Sequence, residues 1–177
     1  IAGVISKSAF IKGHYVDDFE KSFAEYQHSK HCVGVGNGTD ALEIAIEALG
    51  IQAGEIIVPA NSFIGSAEAV SRTGNKVIFC DIDPNNFTID IEDLKCRITA
   101  KTSAVIAVHL YGHPCDMDKI LDLCGPKNIK VIEDCAQAHG AEYKNVRVGA
   151  IGEVGCFSFY PGKNLGAYGD GGAITTN

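Results

Sequence analysis

The chain alternates short apolar runs with amphipathic helical patterns, and no other feature of the sequence limits its possible folds as strongly. The runs are rich in Val and Ile, and most are continuous rather than interrupted by polar residues. Such runs are typical of strands buried on both faces, as in a mostly parallel sheet covered by helices. We predict strands at residues 32–35, 56–59, 76–81, 104–109 and 130–133.

Helical patterns occupy the intervals between these strands. In residues 42–49 apolar side chains recur at i, i+3, i+4 and i+7, and Gly50 is placed to end that helix. Strands that alternate with helices predict an α/β fold, here a three-layer α/β/α sandwich with right-handed crossovers. The other predicted helices lie at about residues 16–26, 64–72, 91–98 and 116–124. Short strand-like pieces follow residue 133, at residues 141–148, 156–159 and 172–175.

Charge and cysteine content narrow the classes of partner and site. The 177 residues, enough for one domain, carry 22 acidic against 15 Lys and Arg side chains. This balance argues against a nucleic-acid or membrane-surface partner, although a helix N-terminus can still hold an anion. The seven cysteines are scattered and form no C-x-x-C pair, which disfavours a disulfide framework or a metal site and favours the cytoplasm. We interpret His109, His113 and His139 as structural, or as supporting other site residues, rather than as catalytic.

A glycine-rich segment, G-V-G-N-G-T-D at residues 34–40, follows one strand and opens a helix. Its glycines allow a ligand close to the backbone, and the helix start offers unpaired N–H groups to an anion. Gly38 and Thr39 are the natural phosphate donors. The alternative is a tight strand-to-helix turn with Thr39 or Asp40 as N-cap. A dinucleotide fingerprint would need glycine at position 39, which is Thr.

Two adjacent carboxylates, Glu133 and Asp134, end the last predicted strand. Ligands of open α/β sheets lie beyond the carboxyl ends of strands, so an acid here can pair with a cofactor's ring nitrogen. Since neighbouring strand residues face opposite ways, we expect only one of the two to face the site. The alternative is an acidic strand end that caps the next loop.

A lysine among glycines and a proline, Lys163 in S-F-Y-P-G-K-N, is the third candidate. A nucleophilic lysine needs a rigid loop to hold its amine, and Ser158 is placed to donate its hydroxyl to a phosphate. The alternative is a surface lysine in a flexible turn. Together the three features provide partners for the phosphate, the ring nitrogen and the aldehyde carbon of one molecule.

Longer segments resemble one family, in the same order along the chain. They are V-G-N-G-T-D-A-L, V-P-A-N-S-F-I-G-S-A, V-H-L-Y-G-H-P, I-E-D-C-A-Q-A-H-G-A and F-S-F-Y-P-G-K-N-L-G-A-Y-G-D-G-G-A. From about Gly13 to Gly172 the chain resembles the sugar aminotransferases of the DegT/StrS group, which are pyridoxal-phosphate (PLP) enzymes of fold type I. The resemblance implies that residues 1–177 form a PLP-binding large domain, with N-terminal residues and a smaller C-terminal domain outside this chain.

The resemblance also implies a role for each matching residue at the cofactor's phosphate and ring. Gly38 and Thr39 match the backbone groups that hold the phosphate, and Ser158 matches its hydroxyl ligand. The positions that match groups around the ring and aldehyde are Phe63 (stacked on the ring), Asp134 (at the pyridinium nitrogen), Gln137 (near the phenolic oxygen) and Lys163 (the Schiff-base lysine and general acid/base).

The activity implied by the resemblance is transfer of an amino group, with glutamate as donor, to a nucleotide-linked keto sugar. The lysine segment is most similar to enzymes acting on a dTDP-3-keto-6-deoxyhexose, in cell-surface or natural-product sugar biosynthesis. The family implies a homodimer with shared active sites. Two alternatives are a PLP-dependent sugar dehydratase, whose relatives carry His in place of Lys163, and a regulatory relative without catalysis.

Overall fold

One seven-stranded sheet organises the computed structural model, which describes residues 1–177. The strands are numbered along the chain, and their order across the sheet is β1-β9-β8-β5-β4-β2-β3. Strand β9 runs antiparallel to the other six, which all run in one direction. The strands of this sheet are β1 His31–Val35, β2 Glu55–Pro59, β3 Lys76–Cys80, β4 Thr102–Val108, β5 Lys130–Asp134, β8 Val154–Ser158 and β9 Gly172–Thr176. The predicted mostly parallel sheet is confirmed.

Six α-helices connect and cover these strands. They are α1 Ala2–Ser6, α2 His14–Gln27, α3 Gly38–Ala48, α4 Ile64–Arg72, α5 Ile91–Arg97 and α6 Met117–Cys124. The predicted helix at residues 64–72 is confirmed at both ends, whereas α1 lay outside the predictions. The strand-like piece at residues 141–148 is a hairpin of two short strands, β6 Glu142–Tyr143 and β7 Val146–Arg147. No helix is both long and apolar enough to cross a bilayer.

Both faces of the sheet are buried, which explains the continuous apolar runs. Along β4, Ala104 and Ile106 belong to a core shared with α3 and α4, whereas Val105 and Ala107 pack with residues of α5 and α6. Successive strand residues point to opposite faces, so a strand between two helical layers must be apolar on both. The predicted three-layer sandwich is therefore confirmed.

The parallel arrangement places one end of many strands at the same sheet edge. The carboxyl ends of β1, β2, β4, β5 and β8 all lie there, because these strands run in one direction. Helix α3 begins just after β1, and α4 begins a few residues after β2. This edge therefore gathers two helix N-termini and the residues that follow β5 and β8.

Candidate active site

A cavity of about 650 Å³ opens at this edge of the sheet. All seven residues singled out in the sequence line it, although they come from segments far apart in the chain. They are Gly38, Thr39, Phe63, Asp134, Gln137, Ser158 and Lys163.

The N-terminus of α3 forms one end of the cavity. Asn37 caps this helix, since its Oδ1 accepts from the Asp40 N–H at 2.9 Å and its Nδ2 donates to Asp40 Oδ2 at 3.0 Å. The alternative cap at Thr39 or Asp40 is wrong. Because the helix is capped at Asn37, the N–H groups of Gly38 and Thr39 have no acceptor in the chain, and both residues line the cavity. This end is suited to an anion.

Ser158, at the end of β8, lies directly against this helix start. A Cβ atom at Gly38 would lie 2.7 Å from Ser158 Cβ, so only glycine permits so close an approach. Ser158 Oγ accepts a long hydrogen bond of 3.4 Å from the Tyr160 N–H and donates to no group of the protein. Its hydroxyl proton is thus available to the same anion as the N–H groups of α3.

Asp134, the last residue of β5, supplies a buried acid to the lining of the cavity. Its Oδ2 accepts from Ser66 Oγ at 2.8 Å, and its Oδ1 accepts from the Ala136 N–H at 3.1 Å. Burial raises the pKa of Asp134, and these two hydrogen bonds oppose that rise without cancelling it. No cationic side chain forms a salt bridge with this carboxylate. A ligand N–H⁺ would meet an unpaired buried acid here.

Glu133 points to the opposite face of β5, as strand alternation predicts. Its carboxylate is fully buried and accepts four N–H bonds of 2.7–2.9 Å. The donors are His109 Nε2 and the backbone of Gly149, Ile151 and Gly152. Burial alone would raise the pKa of Glu133, but the hydrogen bonds from His109, Gly149 and Gly152 outweigh it and lower that pKa.

His109, interpreted from sequence as structural, is completely buried. The Cys115 N–H donates to its Nδ1 at 3.0 Å, so the ring proton is on Nε2, where it is donated to Glu133. Cys135 lies beside this pair, and ligand atoms of the three residues fall within 4.8 Å of one another. The imidazole nitrogens and the Glu133 oxygens already bond within the protein, and these bonds fix the loop after the β6–β7 hairpin.

Lys163 lies on the loop that follows β8. The loop is closed by backbone hydrogen bonds from Lys163 N–H to Tyr160 O and from Ala167 N–H to Phe159 O, each 2.8 Å long. The Lys163 amine forms no salt bridge or hydrogen bond with the protein. A constrained loop therefore presents a free amine at the cavity that Asp134 also lines.

Gln137 and Phe63 complete the lining. Gln137 Oε1 accepts from the Tyr111 N–H at 2.8 Å and holds this residue in the left-handed region at φ +56°. Since only the amide oxygen can accept, Nε2 is left free to donate to a ligand. Phe63 precedes α4 and is 74% exposed as a residue, so its side chain is available for stacking.

Sequence reasoning missed two serines at the site, Ser62 and Ser66. Ser66 is 2% exposed and bonds Asp134, and Ser62 Oγ lies 2.7 Å from Ser66 Oγ. One feature of the sequence could have indicated Ser66. It is the only hydroxyl side chain on the buried face of α4, among Ala67, Ala69 and Val70. The residue that it contacts is 68 positions away, and no local pattern reveals it.

Comparison with known proteins identifies the family of this chain. The model of the DegT/DnrJ/EryC1/StrS aminotransferase family matches residues 1–177. The chain belongs to this family. The resemblance seen in its sequence motifs is thereby confirmed, and the PLP enzymes of fold type I share its architecture.

Three relatives illustrate the range of the DegT/DnrJ/EryC1/StrS family. A dTDP-3-amino-3,6-dideoxy-alpha-D-galactopyranose transaminase of Aneurinibacillus thermoaerophilus is 51% identical, over 98% of this chain and 48% of its own. The crystal structure of S. venezuelae DesV superposes with a TM-score of 0.95 at 44% identity, covering 99% of this chain and 47% of that one. An E. coli GDP-4-keto-6-deoxy-D-mannose-3-dehydratase with bound hydrated PLP gives 0.92 at 34% identity, covering 99% and 46%.

The chain spans about half the length of the curated relatives it matches. The similarity therefore concerns one part of those proteins.

Proposed function

We propose that the full-length protein is a PLP-dependent aminotransferase that acts on a nucleotide-linked keto sugar. One observation carries the proposal. The free N–H groups of α3, the unpaired acid Asp134 and the free amine of Lys163 line a single cavity of about 650 Å³. These are the three kinds of partner that PLP requires, for its phosphate, its ring nitrogen and its aldehyde.

The residues of the cavity fit that cofactor group by group. Gly38, Thr39 and Ser158 would bind the phosphate, because their donors are not used within the protein. Asp134 would bind the pyridinium nitrogen, which supplies the cation that this buried carboxylate lacks. Phe63 would stack on the ring.

Bound PLP supplies an electron sink for the carbon from which a proton is removed. By remaining ionised, Asp134 would keep the ring nitrogen protonated. The Lys163 amine would hold the aldehyde, and it would also be the base that removes and returns the proton at the reacting carbon. Gln137 Nε2 would donate a hydrogen bond to the phenolic oxygen.

The relatives support a proposal for the substrates. We propose a dTDP-3-keto-6-deoxyhexose as acceptor, since the relative that is 51% identical is a transaminase of a 3-amino-3,6-dideoxy sugar nucleotide. We further propose glutamate as the amino donor and a homodimer with shared active sites, as the family resemblance implies.

A sugar dehydratase is the second candidate, because an E. coli dehydratase superposes closely on this chain. Lys163 argues against it, since the resemblance implies His at that position in dehydratases. The presence of Asp134, Ser158 and Lys163 in one cavity also argues against a regulatory relative without catalysis.

The decisive experiment incubates the full-length protein with PLP, glutamate and a panel of nucleotide-linked keto sugars, and identifies the products by mass. An amino sugar nucleotide and 2-oxoglutarate are expected in equal amounts. A deoxygenated product without nitrogen would favour the dehydratase, and no conversion of any sugar would contradict both.

The close approach of α3 to β8 predicts a sensitive glycine. Gly38→Ala is expected to weaken PLP binding by about tenfold or more, because the new methyl group would displace Ser158 from the helix start. The measurement is the PLP dissociation constant of the full-length protein. Gly125→Ala is the control, since a Cβ there meets nothing within 4 Å and its φ is −54°. Equal affinity in both variants would argue against a phosphate at α3.

Asp134→Asn should separate stability from cofactor binding. Because burial raises the pKa of Asp134 in the folded state, its ionisation costs stability once the pH exceeds the ordinary Asp value of about 3.9. The Asn variant without PLP should therefore unfold at a higher temperature at pH 7, yet bind PLP about tenfold or more weakly. The exposed Asp122→Asn is the control. Unchanged PLP affinity would remove Asp134 from the proposed role.

A further inference from the structure

A pair of serine hydroxyls stands behind the Asp134 carboxylate, on the side where α4 begins. Ser66 Oγ lies 2.8 Å from Asp134 Oδ2, and Ser62 Oγ lies 2.7 Å from Ser66 Oγ. We propose that Ser66, supported by Ser62, is a positioning residue that holds Asp134 ionised and in place for the cofactor nitrogen. This inference rests on the function proposed above.

The two contacts together fix the direction of the hydrogen bonds. Ser66 has one hydroxyl proton, and an ionised carboxylate can only accept, so Ser66 donates to Asp134. The 2.7 Å contact with Ser62 then requires Ser62 to donate to Ser66. A neutral Asp134 would accept these hydrogen bonds more weakly, because charge-assisted hydrogen bonds are the stronger ones. This chain of two hydroxyl donors, called the serine relay below, thus stabilises the ionised form of Asp134, because each hydrogen bond polarises the next.

The other groups around Asp134 do not replace this donor. The titratable side chains near it are His109, Lys163, Cys135 and Cys156. His109 donates to Glu133, and burial holds both thiols protonated by raising the pKa of Cys135 to about 12 and that of Cys156 well above its usual range. Lys163 forms no salt bridge with the acid. Ser66 and the Ala136 N–H are therefore the two donors that the chain supplies to Asp134.

The start of α4 is packed so that Ser66 reaches the acid. A Cβ atom at Gly65 would lie 2.7 Å from Thr39 Oγ1 and 3.1 Å from the Phe63 ring, so glycine lets α4 approach α3 closely. Ser66 follows as the third residue of α4, and its side chain is 2% exposed. Its position is fixed by the packing of two helices before any ligand binds.

The test compares three variants of the full-length protein. Ser66→Ala removes the donor to Asp134, Ser62→Ala removes the second hydroxyl, and Ser71→Ala is the matched control on α4, where Ser71 bonds only the Ala67 carbonyl. The first measurement uses protein without PLP, in which carboxyl NMR of labelled aspartate gives the pH midpoint of Asp134, assigned with Asp134→Asn. The second is the PLP dissociation constant, with the pH dependence of the bound cofactor's absorbance.

We expect Ser66→Ala to raise the midpoint of Asp134 and to weaken PLP binding by about tenfold, the effect of losing one charge-assisted hydrogen bond. Ser62→Ala should shift both in the same direction by less, and it keeps the test usable should Ser66→Ala not fold. The inference would be overturned if the two variants at positions 66 and 62 gave the same Asp134 midpoint and the same PLP affinity as Ser71→Ala. Failure of the wild-type protein to bind PLP would instead contradict the proposed function, while the NMR midpoints would still judge the serine relay.

Discussion

Replacing Lys163 by Ala is expected to abolish transamination, with a rate loss on the order of 10³-fold or more. The variant lacks the amine proposed to hold the cofactor aldehyde and to move the proton, and no other lysine lines the cavity. Two measurements check this result. One is the rate of amino-sugar formation by the full-length protein, and the other is the mass that borohydride fixes on the peptide containing residue 163.

Lys95→Ala is the control for this substitution. Lys95 is exposed on α5 and forms no salt bridge, so its variant should keep the wild-type rate and the borohydride-fixed mass. A Lys163→Ala protein that aminates a keto sugar at the wild-type rate would show that another group performs the chemistry.

Replacing Glu133 by Ala should destabilise the protein more than any substitution proposed for the cavity. The change leaves four donors without an acceptor: the buried His109 Nε2 and Gly149 N–H, and the half-buried N–H groups of Ile151 and Gly152. We expect a loss of about 3–5 kcal/mol in the free energy of unfolding, because several donors in the protein interior lose their charged acceptor at once. Urea denaturation of the full-length protein measures it, with Glu25→Ala, exposed on α2, as control.

The pH dependence gives a second test of the same residue. Since the folded protein lowers the pKa of Glu133, its stabilising contribution is complete above the ordinary Glu value of about 4.3 and is lost as the pH falls through the folded-state value. The stability difference between wild type and Glu133→Gln should therefore shrink toward acid pH. A difference as large at pH 3 as at pH 7 would show that the charge of Glu133 does not contribute.

Local pattern predicted the fold well because this sheet is buried on both faces. Central strands such as β4 must then carry a continuous apolar run, here residues 104–108. Helix α4 was easy to delimit, because it lies between a loop and Gly74. The short helix α1 has no buried residue, so no apolar face marked it in the sequence. The cap of α3 was misplaced because Asn37, Thr39 and Asp40 are all good capping residues, and only the backbone at Asn37 decides among them.

The candidate site was predictable where residues match family motifs, and less so where contacts join distant segments. The pattern around Glu133 and Asp134 indicated that one acid faces the site, but the helices on each side decide which. Ser66 was missed because its partner follows 68 positions later in the chain. Its importance comes from packing of α4 against α3, which depends on Gly65.

Two acids with different positions are adjacent in the chain: Glu133 is hydrogen-bonded in the protein interior, and Asp134 lines the cavity. A shift of β5 by one residue against its neighbours would exchange their positions. Glu133 would then face the cavity, and Asp134 would face the opposite helical layer. An error in the register of β5 would therefore both destabilise the fold and disrupt the candidate site. Insertions or deletions within this strand should for that reason be far less tolerated than in the hairpin that follows it.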